Sequence, residues 1–228
     1  MAASSRWYDL TKRAVDIAVA AAVLALSAPL SLAVALAIKA SDGGPVFYRG
    51  IRIGLGGRPF GMFKFRSMVV AAARLGGSST ADDDPRLTRV GRVLRRWKLD
   101  ELPQMLNVLR GEMSLVGPRP QVPDDVARYT ERERELLSVR PGVTDWASVL
   151  FRNEGAILAG HGDADAAYDA LIRPRKSELG LAYVARRSPR TDLEILWLTA
   201  LAVVGSRRTD ELLARRLPTP DDVRGGGG

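Results

Sequence analysis

The sequence predicts a small, mainly α domain with short extended segments, held on one face of a membrane as a monotopic protein. Three observations lead there. Ile17 to Ile38 run for 22 positions without a formal charge, about 33 Å as a helix against a hydrocarbon core of roughly 30 Å. The charge of the chain gathers beside that run: residues 1–66 hold nine Lys or Arg and three Asp, hence +6 of the total +8. Beyond it, most segments carry helical rather than alternating apolar spacing. A basic collar beside an apolar segment suits an anionic membrane surface, whereas nucleic acid would take the charge and leave the apolar run without a role. The 228 residues contain no cysteine and one histidine, His161. A disulfide scaffold, a thiolate nucleophile and a cysteine or two-histidine metal site are therefore excluded.

The apolar run predicts a re-entrant helix-break-helix. Pro29 lies between Ser27 and Ser31, where it deletes a backbone hydrogen bond and crowds the preceding turn. Each half is about 14–18 Å long, enough to enter one leaflet and return. The serine hydroxyls are placed to satisfy carbonyls freed by the proline. Lys12 and Arg13 precede the run and Lys39, Arg49 and Arg52 follow it, so the positive-inside bias favours the cytoplasmic side for both flanks. A straight transmembrane anchor is the competing reading. A cleaved signal peptide fits worse, because the run exceeds a usual h-region and lacks a small-residue cleavage site.

After the anchor, Gly43-Gly44-Pro45 marks a turn, and Val46–Tyr48 and Phe60–Phe65 read as two extended pieces joined by a glycine-rich turn. Those glycines match neither G-x-G-x-x-G nor Walker A. Residues 66–74 continue as a helix through Met68, Val69 and Ala72, and 76–85 are turn-like. Val90, Val93, Leu94 and Trp97 then recur at helical spacing opposite Arg89, Arg92, Arg95 and Arg96, as in an amphipathic helix lying in the membrane interface or a surface helix packed on a core. A second helix is expected from Asp100 as cap, with Pro103 in its first turn, Leu102, Met105, Leu106 and Leu109 as its apolar face, and Gly111 as its stop. Residues 112–123 are rich in Gly and Pro. Residues 124–137 read as a charged surface helix, and Arg140-Pro141-Gly142 as a turn before 143–150. A helix is expected near 164–171. Thr191-Asp192-Leu193-Glu194 is a capping box opening a helix over 195–204, too short to span. The end, from Gly225, reads as a frayed tail.

Adjacent Asp100 and Glu101 follow six cations in thirteen residues, Arg86 to Lys98. Cations and free N–H groups hold phosphates, while a carboxylate ligates Mg²⁺ or attacks phosphorus. Neighbouring acids point in different directions from a helix start, which favours distinct roles over a shared proton. The plainer reading is that the helix dipole favours acids in any first turn.

These segments together resemble one family. Lys12-Arg13-Ala14-Val15-Asp16, Gly44 to Arg49, Phe63-Lys64-Phe65-Arg66-Ser67-Met68 and above all Leu99 to Pro120, LDELPQMLNVLRGEMSLVGPRP, are similar to the bacterial sugar transferases, the monotopic phosphoglycosyl transferases, in their compact form. The resemblance covers residues 10–205. It implies an N-terminal re-entrant membrane helix (1–41), a catalytic domain (42–205) and a C-terminal helix and tail (206–228). It also implies that Asp100 attacks the β-phosphate of a UDP-sugar, expelling UMP, and that polyprenol phosphate then takes the phosphosugar. Glu101 would bind or position Mg²⁺. Lys64, Arg66 and Arg119 would contact substrate, and Arg13 and Asp16 would flank the membrane helix, either as a salt bridge or toward substrate. Tyr183 and Asp192 fall in the family's distal pattern; His161 has no role there. The implied setting is the cytoplasmic face of a bacterial inner membrane, with the lipid bilayer as partner and a homodimer as an admissible assembly. The chain departs from the pattern at Asp145 and Ser148, where glycine and glutamine are expected, and at Gly50, where glutamine is common. Two rivals are a noncatalytic membrane-bound organiser of glycan assembly and a nucleic-acid binder; Trp97 and Trp197 lie in apolar helical patterns, which speaks against the second.

Overall fold

The computed structural model describes residues 6–72 and 79–204; the expected tail at 206–228 and part of the turn at 76–85 lie outside them. Helices dominate, as expected. The apolar run lies in α1 (Arg6–Asp42), a 37-residue helix long and apolar enough by length and composition to cross a membrane. Helical structure continues through Pro29, so the expected pair of helices joined by a break is one element. A proline removes a single donor, and the flanking turns retain theirs. Ser27 Oγ is buried without a hydrogen bond and so does not take up a freed carbonyl.

Buried positions on α1 fall in two places. Ala20 enters the main core with Met105, Val108 and Leu115, while Val34 and Ile38 pack with Phe65 and Leu94. Leu26, between them, is 84% exposed, and Leu30, Leu32 and Leu36 are also exposed.

The two expected extended pieces are strands β1 (Phe47–Ile53), which runs on past Tyr48, and β2 (Pro59–Phe65); they pair as an antiparallel hairpin, Phe47 opposite Phe65 and Ile53 opposite Pro59. In the described part of 66–74 no α-helix follows it, and only Ala72 is helical, in a 3₁₀ conformation. The backbone there pairs across the chain instead, Val69 N–H donating to Arg86 and Thr88 N–H to the Ser67 carbonyl. Helix α2 (Arg89–Arg96) starts on Thr88, whose hydroxyl accepts from Gly91 N–H at 2.8 Å. Its apolar stripe divides: Leu94 is buried against α1, while Val93 and Trp97 are exposed, Trp97 by 62%.

The next helix starts later than expected. Leu99–Glu101 is a 3₁₀ turn, and α3 spans Gln104–Arg110, so Asp100 is not its cap. The buried face of α3 is Gln104, Met105, Asn107 and Val108, with Leu109 exposed. Asn107 fixes that face. Its Oδ1 accepts from Phe63 N–H at 2.9 Å and its Nδ2 donates to the Gly61 carbonyl at 2.8 Å. One amide thus pairs with the edge of β2 where a further strand would have done so.

Strands β3 (Ser114–Val116) and β4 (Gly142–Thr144) form a short parallel pair. Between them the expected helix over 124–137 is divided into α4 (Pro123–Ala127) and a 3₁₀ stretch, Glu133–Ser138. Thr130 and Glu133 exchange hydrogen bonds as a reciprocal cap and restart the chain there. Helices α5 (Trp146–Leu150), α6 (Glu154–Leu158) and α7 (Ala164–Leu171) follow, the last as expected. Helix α8 (Arg173–Arg186) was not anticipated. Helix α9 (Pro189–Val204) begins upstream of the expected capping box: Ser188 Oγ accepts from Thr191 N–H, and Asp192 lies inside the helix. Leu179, Tyr183, Ile195 and Leu198 of α8 and α9 close the core over Val116 and Trp146.

Candidate active site

The turn carrying Asp100 is created by Lys98, which at φ +56° is the one non-glycine residue with positive φ among the described residues. That conformation is costly for a residue with a Cβ and persists where its surroundings impose it. Across the reversal the exposed ring of Trp97 gives way to Asp100, only 6% exposed. Lys64 Nζ, from β2, donates to Glu101 at 2.9 Å and lies 3.9 Å from Asp100 Oδ2. Arg119 grips Glu101 through both terminal nitrogens of its guanidinium. Two acids and two cations from three separate segments therefore converge.

The neighbouring carboxylates are driven apart electrostatically. Burial pushes Asp100 above the usual carboxylate range, with Lys64 opposing. Burial acts the same way on Glu101, but Arg119 and Lys64 outweigh it and hold that carboxyl well below the usual range. Glu101 is a fixed anion clamped by cations. Asp100 Oδ1, by contrast, is buried and has no hydrogen-bond partner, a costly condition for an anionic oxygen.

Arg119 belongs to the loop Gly117-Pro118-Arg119-Pro120 leaving β3. The loop sits tightly against β4: a Cβ on Gly117 would come within 2.4 Å of the Arg140 carbonyl, and one on Gly142 within 2.1 Å of Gly117 N. On its far side Arg119 lines a narrow cleft, open to solvent, with Gln121, Asp145, Tyr168 and Lys176.

The chain as a whole, with the segments that build this cluster, is matched by known proteins. A model of the family described as bacterial sugar transferase matches residues 7–206. The chain belongs to that family. It is 36% identical over 217 residues to an uncharacterized sugar transferase, EpsL, of Bacillus subtilis (strain 168), covering 94% of this chain and 98% of that one. It is 39% identical over 199 residues to the UDP-glucose:undecaprenyl-phosphate glucose-1-phosphate transferase of Escherichia coli (strain K12), covering 83% of this chain and 39% of that protein. It is also 39% identical over 206 residues to the UDP-N-acetylgalactosamine-undecaprenyl-phosphate N-acetylgalactosaminephosphotransferase of Aeromonas hydrophila, at 89% and 44% coverage. The chain thus spans nearly all of the first relative and about two fifths of the other two.

In this sugar transferase Asp100, Glu101, Lys64 and Arg119 come together, and the other expected site residues do not join them. Arg66 is buried with its guanidinium on Asp42 and on the Pro45 and Met68 carbonyls, tying the end of α1 to the hairpin. Arg13 and Asp16 take separate partners. Arg13 donates to the Val108 and Leu109 carbonyls at the end of α3, where a cation meets the negative pole of the helix. Asp16 Oδ1 accepts from Leu115 N–H at 3.0 Å. Asp192 accepts from Tyr183, Tyr8 and Lys12, joining α9, α8 and α1. His161 stands in a loop, its Nδ1 3.3 Å from the Leu158 carbonyl. At Gly50, a Cβ would lie 2.9 Å from the Tyr48 ring, so the tyrosine occupies the space of the missing side chain. Asp145 has a structural partner set that the sequence reading did not resolve, although an Asp three residues before Ser148 at a helix start is a capping signal.

Among the described residues, no three His, Asp or Glu side chains form a metal-holding group. Mg²⁺ does not need one, since one or two carboxylates with substrate phosphates and water suffice. The unpartnered Asp100 oxygen beside the Glu101 carboxylate fits that minimal donor set.

Proposed function

We propose that this protein is a phosphoglycosyl transferase that moves a sugar-phosphate from a UDP-sugar to polyprenol phosphate, releasing UMP. The observation that carries the reading is the unpartnered, buried Asp100 oxygen set beside Glu101 and two cations. An Asp100 carboxylate stripped of hydrogen bonds is a stronger nucleophile than a solvated one. Its oxygen attacks the donor's β-phosphorus; the bond to the bridging oxygen breaks, and that oxygen leaves with its electron pair on UMP. A phosphate oxygen of the polyprenol phosphate then attacks the same phosphorus and expels the Asp100 carboxylate. Arg119 and Lys64 hold the transferring phosphates, and Glu101 keeps both cations in place between turnovers. Glu101 and the diphosphate oxygens would hold Mg²⁺, which when bound offsets charge on the transferring phosphates.

Membrane geometry supports a lipid acceptor. The catalytic domain grips α1 near Ala20 and again at Val34 and Ile38, about 20 Å or more apart along a helix. A domain that holds both ends of an apolar helix lies along it, which suits an anchor entering one leaflet with both flanks on the cytoplasmic side. The relatives' named acceptor, undecaprenyl phosphate, and donors, UDP-glucose and UDP-N-acetylgalactosamine, agree with the proposed substrate classes.

The test is a panel of UDP-sugars with polyprenol phosphate, scored by UMP release, with intact-mass detection of the phosphosugar ester on the protein. The parent should accumulate the ester when lipid is withheld, and Asp100→Asn should form none. Turnover by that variant at the parental rate would overturn the nucleophile. Absence of UMP release with every donor would favour a noncatalytic organiser.

A further inference from the structure

The Asp145 carboxylate bridges two elements of the site. Oδ1 accepts from Ser148 N–H at 2.7 Å and so caps α5; Oδ2 accepts from Arg119 N–H at 3.3 Å. The side chain is 3% exposed. A glycine at 145 makes neither bond, and a hydrogen bond from a backbone N–H to a buried carboxylate is stronger than one to a neutral acceptor. The same Arg119 meets Glu101 through its side chain and lines the cleft that Asp145 also lines.

We infer that Asp145 is a positioning residue for the donor: it straps the Arg119 backbone to the start of α5 so that the guanidinium is already aimed where a nucleoside diphosphate sugar places its phosphates. The inference rests on the proposed transferase reading. Arg119 meets the donor's phosphates in the ground state as well as during transfer, so loosening the strap weakens donor binding more than it slows chemistry.

Serine separates the strap from the cap. Its single hydroxyl caps a helix about as well as aspartate but cannot reach Arg119 at the same time. Asp145→Ala removes both. Asp145→Ser should melt close to the parent and above Asp145→Ala, while its KM for the UDP-sugar rises about tenfold, its kcat stays within roughly twofold and its KM for polyprenol phosphate is unchanged. Calorimetry with UDP on the same proteins should show a matching loss of affinity, a readout independent of turnover. A parental donor KM and UDP affinity in Asp145→Ser, or equal losses for donor and lipid, would overturn the inference. Should Asp145→Ser fold poorly, Asp145→Asn keeps a capping oxygen and faces Arg119 N–H with an amide, and the same two measurements decide. If the parent releases no UMP from any donor, the transferase reading fails, and UDP affinity alone then judges the strap.

Discussion

At the scale of single residues, the site's logic is the contrast between two adjacent carboxyls. A nucleophilic Asp100 must be ionised, and burial raises its pKa while Lys64 lowers it. The rate should therefore fall on the acid side at a pH above the usual aspartate value of about 4. Removing the opposing charge in Lys64→Met should move that limb further toward neutral pH; a limb that stayed in place, measured as kcat/KM against pH, would remove Lys64 from the electrostatics. The same burial predicts a stability effect of definite sign. Because the folded-state pKa of Asp100 lies above its unfolded value, the ionised group destabilises the fold at high pH, and the penalty fades as pH falls through the folded pKa. Asp100→Asn should accordingly melt higher than the parent at pH 8, by about 1 kcal/mol or 2–4 °C, with the gap closing in acid. The pair itself was readable in the sequence, since acids following a run of arginines at an expected helix start suggest phosphate chemistry. Their opposite shifts were not, because Lys64 and Arg119 lie 37 and 18 residues from Glu101 and only the fold brings them near.

At the scale of elements, local signals were read well where they were self-contained. The paired extended pieces were announced by aromatic runs around glycines, and α7 was expected within its observed bounds. Longer-range partners decided the rest. Residues 66–72 look helical in isolation but find backbone partners at Arg86 and Thr88, and α8 went unseen because its first turns are crowded with Arg173, Arg175, Lys176 and Glu178 and its apolar positions Leu179, Ala182 and Tyr183, at i, i+3 and i+4, come only later. Helix α2 illustrates how closely such elements are fitted. A Cβ on Gly91 would lie 1.8 Å from the Ser67 carbonyl oxygen, a backbone atom that cannot swing aside. Gly91→Ala should push α2 off the chain beneath it and destabilise the protein by about 2–3 kcal/mol, read from urea unfolding in detergent. It should also lower transfer, since Lys98 and Asp100 follow directly from α2.

At the scale of the molecule, the two grips on α1 make a prediction about sidedness. The chain has no cysteine, so single cysteines are clean reporters. Thr11→Cys and Ala40→Cys, both at exposed positions flanking the apolar run, should react together with an impermeant maleimide applied from the cytoplasmic side. Reaction from opposite sides would replace the proposed one-leaflet anchor by a span. The membrane segment as such was plain from 22 uncharged residues; its doubled attachment was not, because Leu94 and Phe65 meet it only after the chain has folded back. That doubled attachment also fixes a phase. Each residue advances a helix by about 100°, so a one-residue insertion between Ala20 and Val34 would turn one grip a quarter-circle or more away from the other, whereas seven residues would restore the facing to within about 20° and lengthen the spacer. The count of amino acids inside the apolar stretch is thereby as constrained as their hydrophobicity, a requirement that an ordinary greasy tether does not have.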